Sequence, residues 1–231
     1  MSIFFNDGIF LNFADFSDLF TFLPGQTGGF PVRGLNGDDT IFGSLDNDRF
    51  FGNLGNDFLE GGFGNDDLRG GQGGDQLIGD DGNDFLYGNL GSDFLFGGDD
   101  SDFLRGGQER DTLSGGRGDD TLYGDLGADS LIGDEGADTF VLSAEFVTNP
   151  LNADFITDYT FSEGDRIALP FNVAFSEILI LPGDSTSING RLPFGNSDYV
   201  LFRGDAILGV VFGVSFDDVN RGLISGNNLP I

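Results

Sequence analysis

Aspartate recurs at every ninth residue through the middle of this chain, at Asp39, Asp48, Asp57, Asp66, Asp75, Asp84, Asp93, Asp102, Asp111, Asp120, Asp129 and Asp138. Glycines stand between them, so each carboxylate lies beside tight turns with exposed carbonyls. Such a set of oxygens suits a hard cation. Adjacent acids such as Asp38 and Asp39, or Asp119 and Asp120, also resemble the carboxylate pair of a glycosidase. Inside a strict repeat they read as ligands and solvated loop residues. Composition removes most other chemistry. With no Cys and no His there is no thiol or Ser-His-Asp nucleophile, no histidine-ligated zinc and no disulfide framework. All ten basic residues are Arg, so lysine-dependent phosphate binding and Schiff-base chemistry are absent too. Against 39 acidic residues they leave a net charge of −29, which repels nucleic acid and attracts small cations.

The aspartates belong to a larger unit. From Gly34 to Val141 the chain divides without gaps into twelve nine-residue units, the clearest being GGFGNDDLR (61–69), GGQGGDQLI (70–78) and GGRGDDTLY (115–123). The first position is Gly in all twelve and the sixth is Asp in all twelve. The eighth is always apolar, with Ile41, Phe50, nine Leu from Leu59 to Leu131, and Phe140. The fourth is Gly except at Asp46, Asp100 and Glu109. Glycines at the first, fourth and often second positions predict left-handed turn backbone and close approach. Residues seven to nine, such as Phe58-Leu59-Glu60, predict a three-residue strand with its middle side chain turned inward.

Turn and strand in alternation coil into a flattened parallel spiral, two units per revolution. Twelve units make six coils, an array about 29 Å long at roughly 4.8 Å per strand. Units n and n + 2 then stack, which puts the aspartates in two columns, one on each edge. The array carries 25 acidic residues and 5 Arg, a net charge of −20, and like charges so close oppose ordering. Twelve inward apolar side chains are few to offset the entropy of ordering 108 residues. A divalent cation with oxygen ligands supplies what is missing, and Ca²⁺, with 6–8 ligands in flexible geometry, fits better than Mg²⁺ or any soft metal. Five gaps per column give at most about ten ions.

These units resemble the RTX repeat, GGxGxDxUx, of hemolysin-type calcium-binding proteins. The resemblance implies an all-β fold, a right-handed parallel β-roll of six coils. Each calcium would sit between two loops one coil apart. The Asp of both loops would bind through its side chain, and carbonyls of the first to fourth positions, as at Gly61, Gly62, Gly64, Gly70, Gly71, Gly73, Gly79 and Gly82, would complete the shell. Carbonyl ligation accounts for Asn53, Asp80 and Asp125 at the second position. Relatives are typically exported unfolded by type I secretion and fold outside the cell, which agrees with the absence of Cys and of a recognisable N-terminal signal. Asp154-Phe155-Ile156-Thr157-Asp158-Tyr159, then Gly164-Asp165-Arg166-Ile167-Ala168-Leu169, resembles the segment that caps the last coil in serralysin-type proteins. Glu109 and Arg110 depart from the pattern, which predicts that sites using the Asp111 loop bind most weakly.

Three segments follow from this reading. Residues 1–33, rich in Phe (Phe4, Phe5, Phe10, Phe13, Phe16, Phe20, Phe22, Phe30), cover the first coil, residues 34–141 form the roll, and residues 142–231 form a β-rich cap with a candidate secretion signal at the end. Strands are expected at 178–181, 199–202 and 206–212, with a plain hairpin turn at Arg203-Gly204-Asp205. The longest apolar stretch, Ala206 to Val214, is too short to span a bilayer as a helix. The function expected is that of a secreted or cell-surface, non-enzymatic calcium protein with sites of about 10⁻⁴ to 10⁻³ M. The roll would serve as a structural or surface-associated module. Two alternatives stand beside it: a carboxylate-based hydrolase in residues 142–231, and an adhesive or ligand-binding module that uses the outward aromatics Phe58, Phe85, Tyr87, Phe94, Phe96, Phe103 and Tyr123, a patch suited also to self-association.

Overall fold

A computed structural model describes residues 4–6, 10–12, 17–22, 31–143, 153–169, 178–182, 199–203, 206–212 and 214–225. The nonapeptide array folds as a parallel solenoid of two facing sheets. One contains Val32–Asn36, Arg49–Leu54, Asp67–Gln72, Phe85–Leu90, Phe103–Gln108, Thr121–Leu126 and Thr139–Val141. The other contains Thr40–Ser44, Phe58–Phe63, Gln76–Asp81, Phe94–Asp99, Thr112–Arg117 and Ser130–Glu135. Every strand pairs in parallel with the strand two units away, as Leu59 with Leu77 and Leu86 with Leu104, so a coil is 18 residues and the array makes six.

The strands are longer than the three residues expected. Phe58–Phe63 holds positions seven to nine of one unit and one to three of the next. The ladder pairs Phe58, Leu59 and Glu60 with Gln76, Leu77 and Ile78, passes over the first-position glycine, and resumes at Gly62 and Phe63 with Asp80 and Asp81. Extension past the glycine carries the chain to the edge before it turns, which leaves only positions four to six for the loop.

Burial alternates as a strand requires. All twelve eighth-position side chains are fully buried and meet in one core between the sheets. The solenoid runs past the repeats at both ends. Register places Phe20 beside Ile41, Val32 beside Phe50, Ile156 beside Leu131 and Ile167 beside Phe140, so each continues the core column without a nonapeptide around it. Leu19–Thr21 and Phe10–Asn12 add parallel rungs on the N-terminal side. On the C-terminal side, Asp154–Ile156, Arg166–Leu169, Ala206–Val211 and Leu223–Ser225 do the same. The expected strands Ile178–Pro182, Tyr199–Arg203 and Ala206–Val211 are present and pair as an antiparallel meander; Gly204 and Asp205 of the proposed turn lie outside the described residues. Sequence reasoning did not foresee the short helix Phe216–Gly222, whose N-terminus is capped by Ser215 accepting from the Asp218 amide at 3.2 Å. Among the described residues no helix is long and apolar enough to cross a membrane.

Candidate metal sites

The two columns of aspartates form as expected, and all twelve side chains are buried. Within a column they are tied to each other through the backbone. The amide of each Asp donates to Oδ1 of the Asp one coil on, from Asp39 to Asp57 through Asp120 to Asp138, at 2.6–2.9 Å. These ten links coincide with the ten gaps between loops. One oxygen is therefore committed in ten of the twelve carboxylates, and Asp39 Oδ1 is likewise held by the Asp18 amide.

The other oxygen is not. Oδ2 of Asp39, Asp57, Asp66, Asp75, Asp84, Asp93, Asp102, Asp111, Asp120, Asp129 and Asp138 is buried and has no hydrogen-bond partner. Asp48 differs, because Ser44 donates to its Oδ2 from both amide and hydroxyl at 3.0 and 3.1 Å. Orphaned charged oxygens inside a protein are strongly unfavourable. The first-position glycine shows where they point. A Cβ on Gly79 would lie 2.2 Å from Asp84 Oδ2 and 2.5 Å from the carbonyl oxygen of Gly97, one coil on. A carboxylate oxygen from one loop and a carbonyl oxygen from the strand one coil on thus converge beside a residue that must lack a side chain. Gly52 and Gly61 repeat the arrangement, with Asp57 and Asp66 oxygens 2.1 Å and the Gly70 and Gly79 carbonyl oxygens 2.7 and 3.0 Å from the added atom.

These first glycines do not take the left-handed backbone expected of them; they are required for space. Left-handed backbone belongs to the second and fourth positions, as at Gly62 (φ 99), Gly71 (φ 124), Gly64 (φ 117), Gly73 (φ 128) and Gly82 (φ 128). Non-glycine residues accept it there too, including Asn53, Asp80, Asp100, Glu109 and Asp125 at φ 67–82. Such residues carry strain. The fourth-position loops stack so closely that a Cβ on Gly82 would meet the Gly64 carbonyl oxygen at 1.7 Å. The third- and sixth-position carbonyls are consumed by bonds between coils, for example Gly64 N–H to Asp81 O at 3.0 Å and Phe85 N–H to Asp66 O at 2.8 Å.

Burial raises the carboxylates, with neighbouring carboxylates adding to it: from an ordinary 3.8 to about 6 at Asp39, Asp57 and Asp93, to about 7 at Asp66, Asp75, Asp84, Asp120 and Asp138, and to about 8 at Asp102 and Asp111. A bare column holds protons near neutrality. A divalent cation would take their place.

The donor set fits calcium. It contains only oxygen, and among the described residues no three acidic side chains converge on one point, so the shell is built from paired carboxylates and backbone carbonyls, as a cation tolerant of mixed oxygen donors allows. Register also adds rungs absent from the candidate ligands. Asp18, Asp154 and Asp165 stand where sixth-position aspartates would. Asp39 Oδ1 accepts from the Asp18 amide at 2.8 Å, Asp165 Oδ1 accepts from the Asp138 amide at 3.0 Å, and Asp154 Oδ1 accepts from the Asp129 amide at 3.4 Å. Their common signal is an Asp two residues before a buried apolar side chain, a pattern too short to find without the register.

A family profile for the RTX calcium-binding nonapeptide repeat matches residues 33–68, 69–104 and 105–140. The array belongs to that family. RTX repeats bind calcium, and the orphaned Oδ2 columns are the part of this one suited to doing so. Among solved structures, the chain resembles the extracellular lipase LipA from Serratia marcescens with 19% identity and a TM-score of 0.35, over 85% of this chain and 42% of the lipase. The chain therefore spans less than half of that protein. No curated protein matches it.

Proposed function

We propose that the protein is a secreted, non-catalytic calcium module whose RTX roll folds when calcium fills the gaps between loops, and which serves outside the cell as a structural or surface-associated element. The observation that carries this reading is the pair of columns of buried carboxylate oxygens with no partner. Ordering 108 residues around a core two side chains wide brings those oxygens together at a cost, and a cation between successive loops reverses its sign. The ligands in each gap would be the sixth-position carboxylates of both loops and carbonyls of the first, second and fourth positions. Up to about ten ions fit the interior gaps, each +2, against the array's −20. Low cytosolic calcium would keep the chain unfolded for export, and millimolar calcium outside would fold it. Because each coil is stabilised by its neighbours, filling is cooperative. Equilibrium dialysis with metal analysis tests this directly: about ten calcium ions per chain with a steep isotherm is expected, and one or two independent ions would overturn it.

A further inference from the structure

The outward face of the sheet that begins at Val32–Asn36 carries a second periodicity, twice that of the coil. Over the six rungs from Val32–Asn36 to Thr121–Leu126 its ninth-position residues run Arg33, Phe51, Arg69, Tyr87, Arg105 and Tyr123, each paired directly with the next; Val141, paired with Tyr123, ends the alternation. Three residues further along the same strands stand Asn36, Leu54, Gln72, Leu90, Gln108 and Leu126, also in register. A rung with Arg and an amide thus alternates with a rung bearing an aromatic ring and a leucine. The opposite sheet, with Phe42, Glu60, Ile78, Phe96, Ser114 and Ile132 at the ninth position, shows no such alternation. The core and the carboxylate columns need only the nine-residue unit, so neither accounts for a 36-residue period on one outer face.

The aromatic and guanidinium planes form a continuous shelf. The Arg69 guanidinium lies 5.5 Å from the Phe51 ring and 5.1 Å from the Tyr87 ring. Phe103 widens the shelf, 5.8 Å from Tyr87 and 5.2 Å from Tyr123. Leu54, Leu90 and Leu126 are 42%, 39% and 47% exposed. Between Tyr87, Leu90, Arg105, Gln108, Asp125 and Leu126, one full period of the pattern, lies an open groove of about 570 Å³.

Charge narrows the ligand. Asp67 accepts from Arg69 Nε and Nη2 at 2.8 and 3.1 Å and pairs with Arg49 at 3.3 Å, while Asp125 holds Arg105 through two nitrogens. The Nε–Nη2 edges of Arg69 and Arg105, which would grip a carboxylate, are occupied by Asp67 and Asp125, and the chain's net charge of −29 repels polyanions. A neutral, linear ligand with flat apolar faces and polar edges remains, repeating about every 9.6 Å, two strand spacings. Successive rings of a β-linked pyranose chain face opposite ways, so its chemical repeat is two sugars, close to that spacing. We propose that this face binds a linear, neutral, β-linked polysaccharide laid along the roll axis. Sugar faces would rest on the Phe51, Tyr87 and Tyr123 rungs, and hydroxyls would meet the amides of Gln72 and Gln108.

The proposal needs a folded roll, whatever folds it. Native affinity electrophoresis at saturating calcium, in gels cast with hydroxyethylcellulose or with alginate, tests it. The expected result is retardation by hydroxyethylcellulose alone, insensitive to added salt. Affinity should fall about tenfold in Tyr87→Ala/Tyr123→Ala and measurably in Gln108→Ala, whose side chain is exposed and outside the core. Circular dichroism showing the same strand signal in every variant separates lost binding from lost folding. Retardation by alginate alone, none by hydroxyethylcellulose, or equal binding by all variants would overturn it. So would a wild-type dimer in sedimentation that the Tyr variant abolishes, since the face would then pair with a second copy.

Discussion

Replacing Gly79 with Ala tests the cradle between loops with a single methyl group. The added carbon would sit 2.2 Å from Asp84 Oδ2 and 2.5 Å from the Gly97 carbonyl oxygen, about 1 Å inside normal contact with two oxygens. The Gly97 carbonyl is backbone in the adjacent strand, so relief requires the coils to separate locally or Asp84 to leave its place. Overpacking of this kind costs about 1–3 kcal/mol, and a domain of this size loses about 2–4 °C per kcal/mol, so the calcium-loaded form should melt roughly 2–12 °C lower. Gly74→Ala is the matched control: its nearest neighbours would be Ser92 O at 3.1 Å and the Asn56 side chain at 3.7 Å, and it removes unfolded-chain freedom worth about 0.4–1 kcal/mol. That gain is about 1–4 °C, and the close Ser92 carbonyl offsets part of it, so its melting point should stay at or slightly above that of wild type. Scanning calorimetry in excess calcium, with metal analysis of both proteins, gives the comparison. Gly79→Ala should also lose one or two ions per chain. If both variants melt alike and bind the same number of ions, the convergence of oxygens beside the first glycine is not where the metal is held.

Asp102→Asn keeps the Oδ1 acceptor and replaces a buried anion with an amide that can face the Gly115 carbonyl. It should raise metal-free stability at pH 8 by about 1 kcal/mol yet lower the melting point in calcium; a strand signal in EGTA no greater than that of wild type, or an unchanged melting point in calcium, would refute this. The bare roll should also be acid-stabilised. Its carboxylates are raised from 3.8 to about 6 at Asp39 and about 8 at Asp102 and Asp111, so the folded chain binds more protons than the unfolded one. That stability is complete below about pH 4 and is lost as pH rises through 6–8. Far-ultraviolet circular dichroism in EGTA should therefore show more strand at pH 5 than at pH 8, and the reverse would contradict the burial argument. Glu109 holds φ 82 where nine of the twelve loops carry Gly; Glu109→Gly should stabilise the calcium-loaded protein by about 1 kcal/mol and tighten the weakest site, as followed by terbium luminescence.

The roll is legible in the chain because each requirement of a coil falls in its own column. Asp at position six, an apolar residue at position eight and Gly at position one each repeat twelve times, so period, core and carboxylate columns can all be read from residue types and spacing. What a column cannot show is why its residue is there. Glycine at position one has the look of a turn residue, and only the distance from Gly79 to Asp84 Oδ2 reveals that it makes room for oxygens. Rungs outside the repeats are illegible for a related reason. Asp18, Asp154 and Asp165 keep the Asp and the buried apolar residue but lose the glycines, and register alone aligns them. The helix at Phe216–Gly222 does have a signal, Ser215 followed by Asp218 three residues on, but one turn of capping chemistry is weak beside a strand-rich context.

The most direct test is circular dichroism of the intact chain titrated with calcium from a chelated start, followed by return to EGTA. The account predicts little strand signal at pH 8 without calcium, a steep cooperative rise as calcium is added that magnesium does not reproduce, and reversal on chelation. A chain that shows the same strand signal and melting temperature in EGTA as in saturating calcium would contradict it.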